Sequence, residues 1–360
     1  MSKLTVSTTQ LQALVGKASQ GVGDNKLHRL TTMIGIQVAD SVLHLYTTDG
    51  INDLCVSCEV SDGKAFLVTV NADTFIKLIN KITSDTVTLE AGDSSLKIIG
   101  NGVYQLPLET DDEGNIFSYP VDKFANDGEE LGTLHQSAIQ TMQLSLKSSL
   151  SPSVGSVYTN YYAGEFICAT DRAMMGLYEY KAFNEGGKSM LFNSQFVDLL
   201  PIANEDVALS INGNTNTLIA EAINFKLITK AVTDCADFNV DGIKKMQLIP
   251  QDSYCRLRKK DIISLLDRLS LFVGPYDDGA VILHFGDDAV EVSSVSSNGV
   301  ETVYYTESKN IVDKTIKINI VRLMSQLKSY ASDTVDLYYG SDVCIKLADG
   351  DVIQVIALMK

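Results

Sequence analysis

The places to look for chemistry in this 360-residue chain are its cysteines, histidines and clustered carboxylates. "CVSC" at 55–58 has the spacing of half a zinc site. In a strand, however, residues three apart point to opposite faces, so Cys55 and Cys58 cannot converge on one ion, and the sequence has no second such pair. "GGKS" at 186–189 imitates the end of a phosphate-binding loop, but Ala182 stands where the first glycine belongs and a strand-like run follows in place of a helix. It reads as a turn. His28, His44, His135 and His284 are far apart and fall in no metal-ligand spacing. Acidic residues gather at Asp111-Asp112-Glu113, Asp277-Asp278 and Asp287-Asp288, the pattern of solvated corners. No nucleophile stands with a plausible base, so the expectation is a non-enzymatic protein with no catalytic residue, metal or cofactor.

What does stand out is recurrence. "VNADTFIKLINKI" at 70–82 places Asn71 as a helix cap and Phe75, Leu78, Ile79 and Ile82 on one face. "FNSQFVDLLPIA" at 192–203 and "INIVRLMSQLKSY" at 318–330 open the same way, and Asn71, Asn193 and Asn319 are 122 and 126 residues apart. "SDTV" at 84–87 returns at 332–335, displaced by 248, the same total span, and "NEDVAL" at 204–209 fills the middle place. Two markers in one register imply a domain-sized unit written three times.

Each third also opens with a strand and an amphipathic helix. Thr8 or Thr9 is expected to cap the first, with Leu11, Leu14, Val15 and Ala18 on its face; Ile139, Met142 and Leu146 mark the second, and Ile262, Leu265, Leu266 and Leu269 the third. Runs such as "TMIGIQVADSVLHLYTTDG" follow, alternating about a polar break as hairpins do. Polar stretches at 122–132 and 237–252 separate the copies, giving domains 1–124, 125–249 and 250–360. The predicted fold class is α+β: three tandem copies of a domain in which two helices pack on β-sheet.

Composition sets the remaining bounds. Apolar residues make up 45% and charged residues 21%, as in globular chains. No run approaches 18 apolar residues and "MSKLTVSTTQ" is not built like a signal peptide, so a cytoplasmic protein without membrane contact is expected, its six scattered cysteines mostly buried thiols. The net charge of -16 speaks against a broad nucleic-acid surface. The thirds carry 9, 8 and 12 basic against 15, 14 and 16 acidic groups, so any basic surface is local.

This threefold organisation over the whole chain resembles the bacterial DNA polymerase III beta subunit family, the sliding clamps. "CATDRAMMGLYEY" at 168–180 is similar to that family's Ala-Thr-Asp segment in the middle domain, and "VIQVIALMK" to its apolar C-terminal strand and tail. The resemblance implies a head-to-tail homodimeric ring around double-stranded DNA, with helices lining the hole and sheets forming the outer wall. The helix faces agree with this: Lys77, Asn80 and Lys81 lie opposite Phe75, Leu78 and Ile79, and Arg322, Gln326 and Ser329 lie opposite Leu323 and Leu327. Candidate DNA-facing residues are Lys17, Lys26, Arg29, Lys77, Lys81, Lys147, Arg322 and Lys328, meeting phosphates without reading bases. The middle copy's second helix, with Asp198 and no basic residue, departs from this picture.

The family's second surface is a groove between its middle and last domains, where the replicative polymerase, the clamp loader and other partners insert a short peptide carrying Gln and apolar anchors. By position it corresponds to Val154, Thr170, Asp171, Arg172, Met174, Met175, Ile356, Leu358 and Met359. Where the family continues Asp with Gly-His-Arg this chain has Arg172-Ala173-Met174, and its tail lacks the family's Pro. Methionines make a pliable wall, so a groove with a different preferred peptide is expected, in a divergent replicon such as a phage or plasmid. Packing of Met174 and Met175 as inter-domain core is the plainer reading of the pair. The alternative function is a structural or assembly repeat protein, such as a viral one, that encircles nothing.

Overall fold

The computed structural model describes residues 2–24, 27–61, 63–125, 127–147, 158–162, 166–171, 173–179, 190–232, 238–274, 276–296, 298–349 and 352–360. One order of elements, strand, helix, four strands, helix, three strands, is written three times. The first copy comprises β1 (Ser2–Ser7), α1 (Thr8–Ala18), β2 (Met33–Ala39), β3 (Val42–Thr48), β4 (Asp53–Glu59), β5 (Phe66–Asn71), α2 (Ala72–Lys81), β6 (Thr86–Ala91), β7 (Ser95–Ile99) and β8 (Val103–Pro107). The second comprises β9 (Glu129–Leu134), α3 (Gln136–Leu146), β10 (Tyr158–Tyr162), β11 (Phe166–Thr170), β12 (Met174–Glu179), β13 (Met190–Asn193), α4 (Ser194–Leu199), β14 (Val207–Asn212), β15 (Thr217–Ala222) and β16 (Phe225–Lys230). A helix absent from the sequence expectation, α5 (Val240–Gln247), precedes the third copy. That copy comprises β17 (Ser253–Arg258), α6 (Lys259–Leu269), β18 (Ala280–Phe285), β19 (Ala289–Ser294), β20 (Val300–Tyr304), an added strand β21 (Glu307–Lys309), β22 (Lys314–Asn319), α7 (Ile320–Ser329), β23 (Thr334–Tyr339), β24 (Cys344–Asp349) and β25 (Val352–Ala357).

Local chemistry accounts for the repeated order. The amide of Thr74 donates to Asn71 Oδ1 at 3.0 Å and that of Arg322 to Asn319 Oδ1 at 3.1 Å, so both asparagines cap the helices that follow them. Thr8 does not cap α1 as expected; it is the first helical residue, and its hydroxyl donates to the Ser84 carbonyl. The recurring "SDTV" has a matching task in two copies. The Asp85 carbonyl accepts the Thr8 amide at 3.0 Å and the Asp333 carbonyl accepts the Lys259 amide at 2.8 Å, tying each first helix to the strand after the second. In the middle copy the carboxylate of Asp206 takes over, accepting the Gln136 amide at 2.9 Å. The β2 to β3 turn places Asp40 and Ser41 at φ of 48° and 63°, the left-handed pair that a two-residue hairpin requires.

By its internal packing the chain divides into two compact units, and residues 125–249 contribute to both. The first unit is Met1–Gln136 with Gln195–Ala231. It holds a sheet in the order β1, β6, β7, β8 and an eight-stranded sheet in the order β5, β2, β3, β4, β16, β15, β14, β9. The join is antiparallel pairing of β4 with β16, from Val56 opposite Phe225 to Asp53 opposite Ile228. Tyr119 and Phe124, at the end of the first copy, pack with Tyr46, Ile219 and Ile228 over this join. Leu11, Leu14 and Val15 of α1 and Phe75 and Ile79 of α2 are buried, and Gln12 Nε2 links the helices by donating to the carbonyls of Ile79 and Ile82 at 3.0 and 2.9 Å.

The second unit is Ser137–Ser194 with Val232–Lys360. It holds a nine-stranded sheet in the order β13, β10, β11, β12, β25, β24, β23, β17, β21 and a sheet in the order β20, β19, β18, β22. Here the join is β12 with β25, from Met174 opposite Ile356 to Leu177 opposite Ile353. Ile262, Leu265, Leu266 and Leu269 of α6 and Leu323 and Leu327 of α7 fill its core, as their spacing predicts. Gln326 departs from expectation: it is fully buried, on the core side of α7 and not on its polar face.

Of the strands that end the four sheets, two fall at matching places in the repeat, β8 in the first unit and β20 in the second, each paired on one side only among the described residues. They occupy, in the outer copies, the places that β16 and β25, and β4 and β12, occupy in the two joins. Both carry exposed apolar side chains, Val103 and Tyr104 on one and Val300 and Tyr304 on the other.

Candidate functional site

Three of the expected DNA-facing lysines close helices: Lys17 is in the last turn of α1, Lys81 in that of α2 and Lys328 in that of α7. There a cation also complements the carbonyl end of the helix. Lys17 is half-buried, while Lys81, Lys328 and Lys147, just past α3, are exposed. Ser325 of α7 donates to the Lys147 carbonyl at 3.3 Å, so the end of α3 and the middle of α7 meet. The other cations have carboxylate partners. Lys77 pairs with Asp73 at 2.8 Å one turn earlier, and Arg29 lies 3.1 Å from Glu109 and 3.8 Å from Asp112. Lys26 lies outside the described residues. On α4, Asp198 has its carboxyl pushed up by partial desolvation.

Arg322 differs from these surface pairs. Its guanidinium lies 3.7 Å from Asp171 Oδ2, and the Asp171 side chain is only 3% exposed. Asp171 Oδ1 in turn accepts the amides of Ala173 and Met174 at 3.0 and 2.8 Å, and Thr170 Oγ1 donates to the Met174 carbonyl at 2.7 Å. The expected groove turn is thus a tight hydrogen-bonded corner between β11 and β12. The tail follows along it: Ala357 donates to the Ala173 carbonyl at 2.9 Å, Leu358 to that of Val343 at 2.8 Å and Met359 to that of Lys317 at 2.9 Å.

The structure sorts the expected groove residues into three groups. Leu358 and Met359 line an open cavity of about 320 Å³ together with Ile282, Ile316, Lys314 and Lys317. Thr170 and Asp171 form the corner. Met174, Met175 and Ile356 are buried: Met174 and Ile356 pack with Leu257 and Phe285, and Met175 packs with Cys168, Cys344 and Val355. The methionine wall expected from the sequence is therefore core, because successive residues of β12 point to opposite faces and both faces are covered. Val154 and Arg172 lie outside the described residues.

Three contributors escaped the sequence reading: Lys314, Lys317 and helix α5. Lys314 and Lys317 lie on β22, where alternation marks only their buried neighbours, and Lys314 Nζ is held by Asp342 at 2.7 Å. Helix α5 packs Ile243, with the partly buried Met246, against the Met175 cluster. Its signal was present: Asn239 Oδ1 accepts the Gly242 amide at 2.8 Å, the same asparagine cap that opens α2 and α7.

Of the groups first considered for chemistry, Cys55, Cys168 and Cys255 are packing residues, and the stretch 186–189 lies outside the described residues. Cys55 is buried on β4 with its Sγ 3.8 Å from His44 Nδ1, and burial pushes its thiol up to about 12. Burial does the same to Cys168 and Cys255, so none of the three supplies a thiolate at neutral pH. Among the described residues no three His, Cys, Asp or Glu side chains converge as metal ligands would, and no helix is long and apolar enough to cross a membrane.

No protein-family profile matches the sequence, and no curated protein matches it. Solved structures do match. The DNA polymerase III beta subunit of Thermotoga maritima has a TM-score of 0.82 to this chain at 14% identity, with 100% of each chain covered. DNA polymerase III subunit beta from Borrelia burgdorferi gives 0.81 at 14%, covering 99% of this chain and 98% of its own. The DNA polymerase sliding clamp from Bacillus subtilis gives 0.79 at 14%, covering 100% and 99%. The chain has the fold of these beta subunits.

Proposed function

We propose that the chain is a sliding clamp, a non-enzymatic processivity factor that works in the cytoplasm and holds a replicative polymerase on duplex DNA by encircling it. The observation that carries this is the pair of open edges. In each join inside the chain, the last strand of one copy pairs with the third strand of the hairpin series of another: β16 with β4, and β25 with β12. The remaining members of these two sets are β8 and β20, each of which ends its sheet and is paired on one side only among the described residues. Pairing β8 of one chain with β20 of a second, and the reverse, uses both edges twice and gives a head-to-tail dimer of six domains, 1–124, 125–249 and 250–360 from each chain. The exposed Val103, Tyr104, Val300 and Tyr304 are then covered.

In this ring the helices face the hole, where Lys17, Lys81, Lys147 and Lys328 meet phosphates while the net charge of -16 keeps duplex off the outer wall. Contact through a few cations, without base readout, suits a ring that slides, because base contacts of about 1 to 3 kcal/mol each would create stopping points. Polymerase and clamp loader would dock a short peptide beside the Asp171 corner and the tail, at the cavity lined by Leu358 and Met359.

The decisive experiment measures native mass and retention on nicked circular DNA before and after linearisation. A clamp is a dimer that stays on the circle and runs off the linear form. Open-ended pairing of the same edges would instead give a ladder of masses, the signature of an assembly protein, and equal retention on both DNA forms would rule out encirclement.

A further inference from the structure

Arg322 stands in the first turn of α7, among the residues expected to face DNA. Its surroundings give it another task. Asp171, 3.7 Å away, is a carboxylate almost wholly out of water, and such a group needs a cation beside it. Through its Oδ1, Asp171 fixes the amides of Ala173 and Met174, and the Ala173 carbonyl accepts the Ala357 amide, where the tail begins. A connected path thus runs from guanidinium to carboxylate, to the corner, to the tail whose Leu358 and Met359 line the cavity. The start of this path is rigid. Leu323 and Leu327 anchor α7 in the core, Ser325 holds the Lys147 carbonyl, and Gln354 of β25 donates to Ser329 at 3.2 Å.

We propose that Arg322 is a positioning residue for the partner site: by neutralising and orienting Asp171 it fixes the corner and the tail, and so sets the shape of the cavity. Its consequence for partner binding rests on the groove reading given above, whereas the relay itself does not. Helix α7 thereby couples the face proposed for DNA to the site proposed for partners, within one compact unit.

Amide hydrogen exchange on the full chain separates the two layers. In Arg322→Met and Asp171→Asn, protection of Ala357 and Leu358 should fall about tenfold relative to Leu283 and Ile316 of the neighbouring sheet, a normalisation that removes any global loss. The double variant should fall no further than the larger single one, and Arg322→Lys, which keeps the charge, should fall less. Unchanged normalised protection in Arg322→Met, or losses that multiply in the double variant, would overturn the relay. If Arg322 were instead a phosphate contact, its removal would lower the salt dependence of DNA retention by about one unit of log-log slope and leave tail exchange alone. A fluorescein-labelled peptide with one glutamine and two leucines supplies the second readout. Parent binding with about tenfold weakening in both single variants extends the relay to partner binding. A parent that does not bind counts against the groove reading, and the exchange result still decides the relay.

Discussion

Helices α2 and α7 hold the same place in the first and third copies and open on the same asparagine cap, yet they use their basic residues differently. On α2, Lys77 meets Asp73 one turn away, both largely exposed. On α7, Arg322 reaches a buried carboxylate on a different element. The repeat fixes backbone and core; what a given surface position does is set by what has grown up opposite it.

The largest test of that division is in the cores. Phe75→Ala should cost the first unit about 3 to 5 kcal/mol and Leu323→Ala should cost the second about 2 to 5 kcal/mol, because each leaves a cavity in a fully packed interior. Denaturant unfolding followed by exchange should show each loss confined to its own unit. The next comparison is between the ion pairs. Arg322→Met leaves the Asp171 charge buried and should cost about 2 to 3 kcal/mol, reduced from the fully buried case because Arg322 is partly exposed, whereas Lys77→Met should cost no more than about 0.5 kcal/mol. Equal losses would erase the contrast. The caps should behave alike: Asn71→Ala and Asn319→Ala should each cost about 1 kcal/mol, seen as shifts of the urea midpoint at constant slope.

The smallest effect concerns the middle copy, where a carboxylate replaces the backbone acceptor at the start of the first helix. Hydrogen bonds accepted from His135 and from the Gln136 amide hold Asp206 below the usual carboxylate range. A folded-state value below the unfolded one means stabilisation that is present above the ordinary value of 3.8 and lost as pH falls through the depressed one. Gln136 exchange should therefore become unprotected in acid, after correction for the intrinsic rate, while Thr8 and Lys259, bonded to the Asp85 and Asp333 carbonyls, should not.

The repeat was legible because it is written in side chains that serve the backbone: three asparagines before helices, an aspartate before a strand, and apolar faces at helical spacing. The joins were not. β4 with β16 and β12 with β25 are held by main-chain hydrogen bonds, which any residue but proline supplies, so no sequence pattern announces that the middle third contributes to two units. Helix α5 escaped because eight residues containing Gly242 resemble a linker more than a helix. At the candidate site, sequence position found the corner and the tail. It could not tell Leu358, at a cavity, from Ile356, in the core, since both are aliphatic residues of one strand and its extension. Nor could it foresee Asp171 as the partner of Arg322, which depends on tertiary packing.

The join beneath Tyr119 and Phe124 gives the connecting peptide around Asp127 little mechanical duty. Strand pairing and aromatic packing hold the first copy to the strands beyond it whether or not the covalent thread is intact. A protease nick at that exposed loop would leave two fragments that migrate together in native gels and part only in detergent. The same tolerance marks the loop as a place to open new chain ends or to graft a tag without disturbing the sheet it bridges.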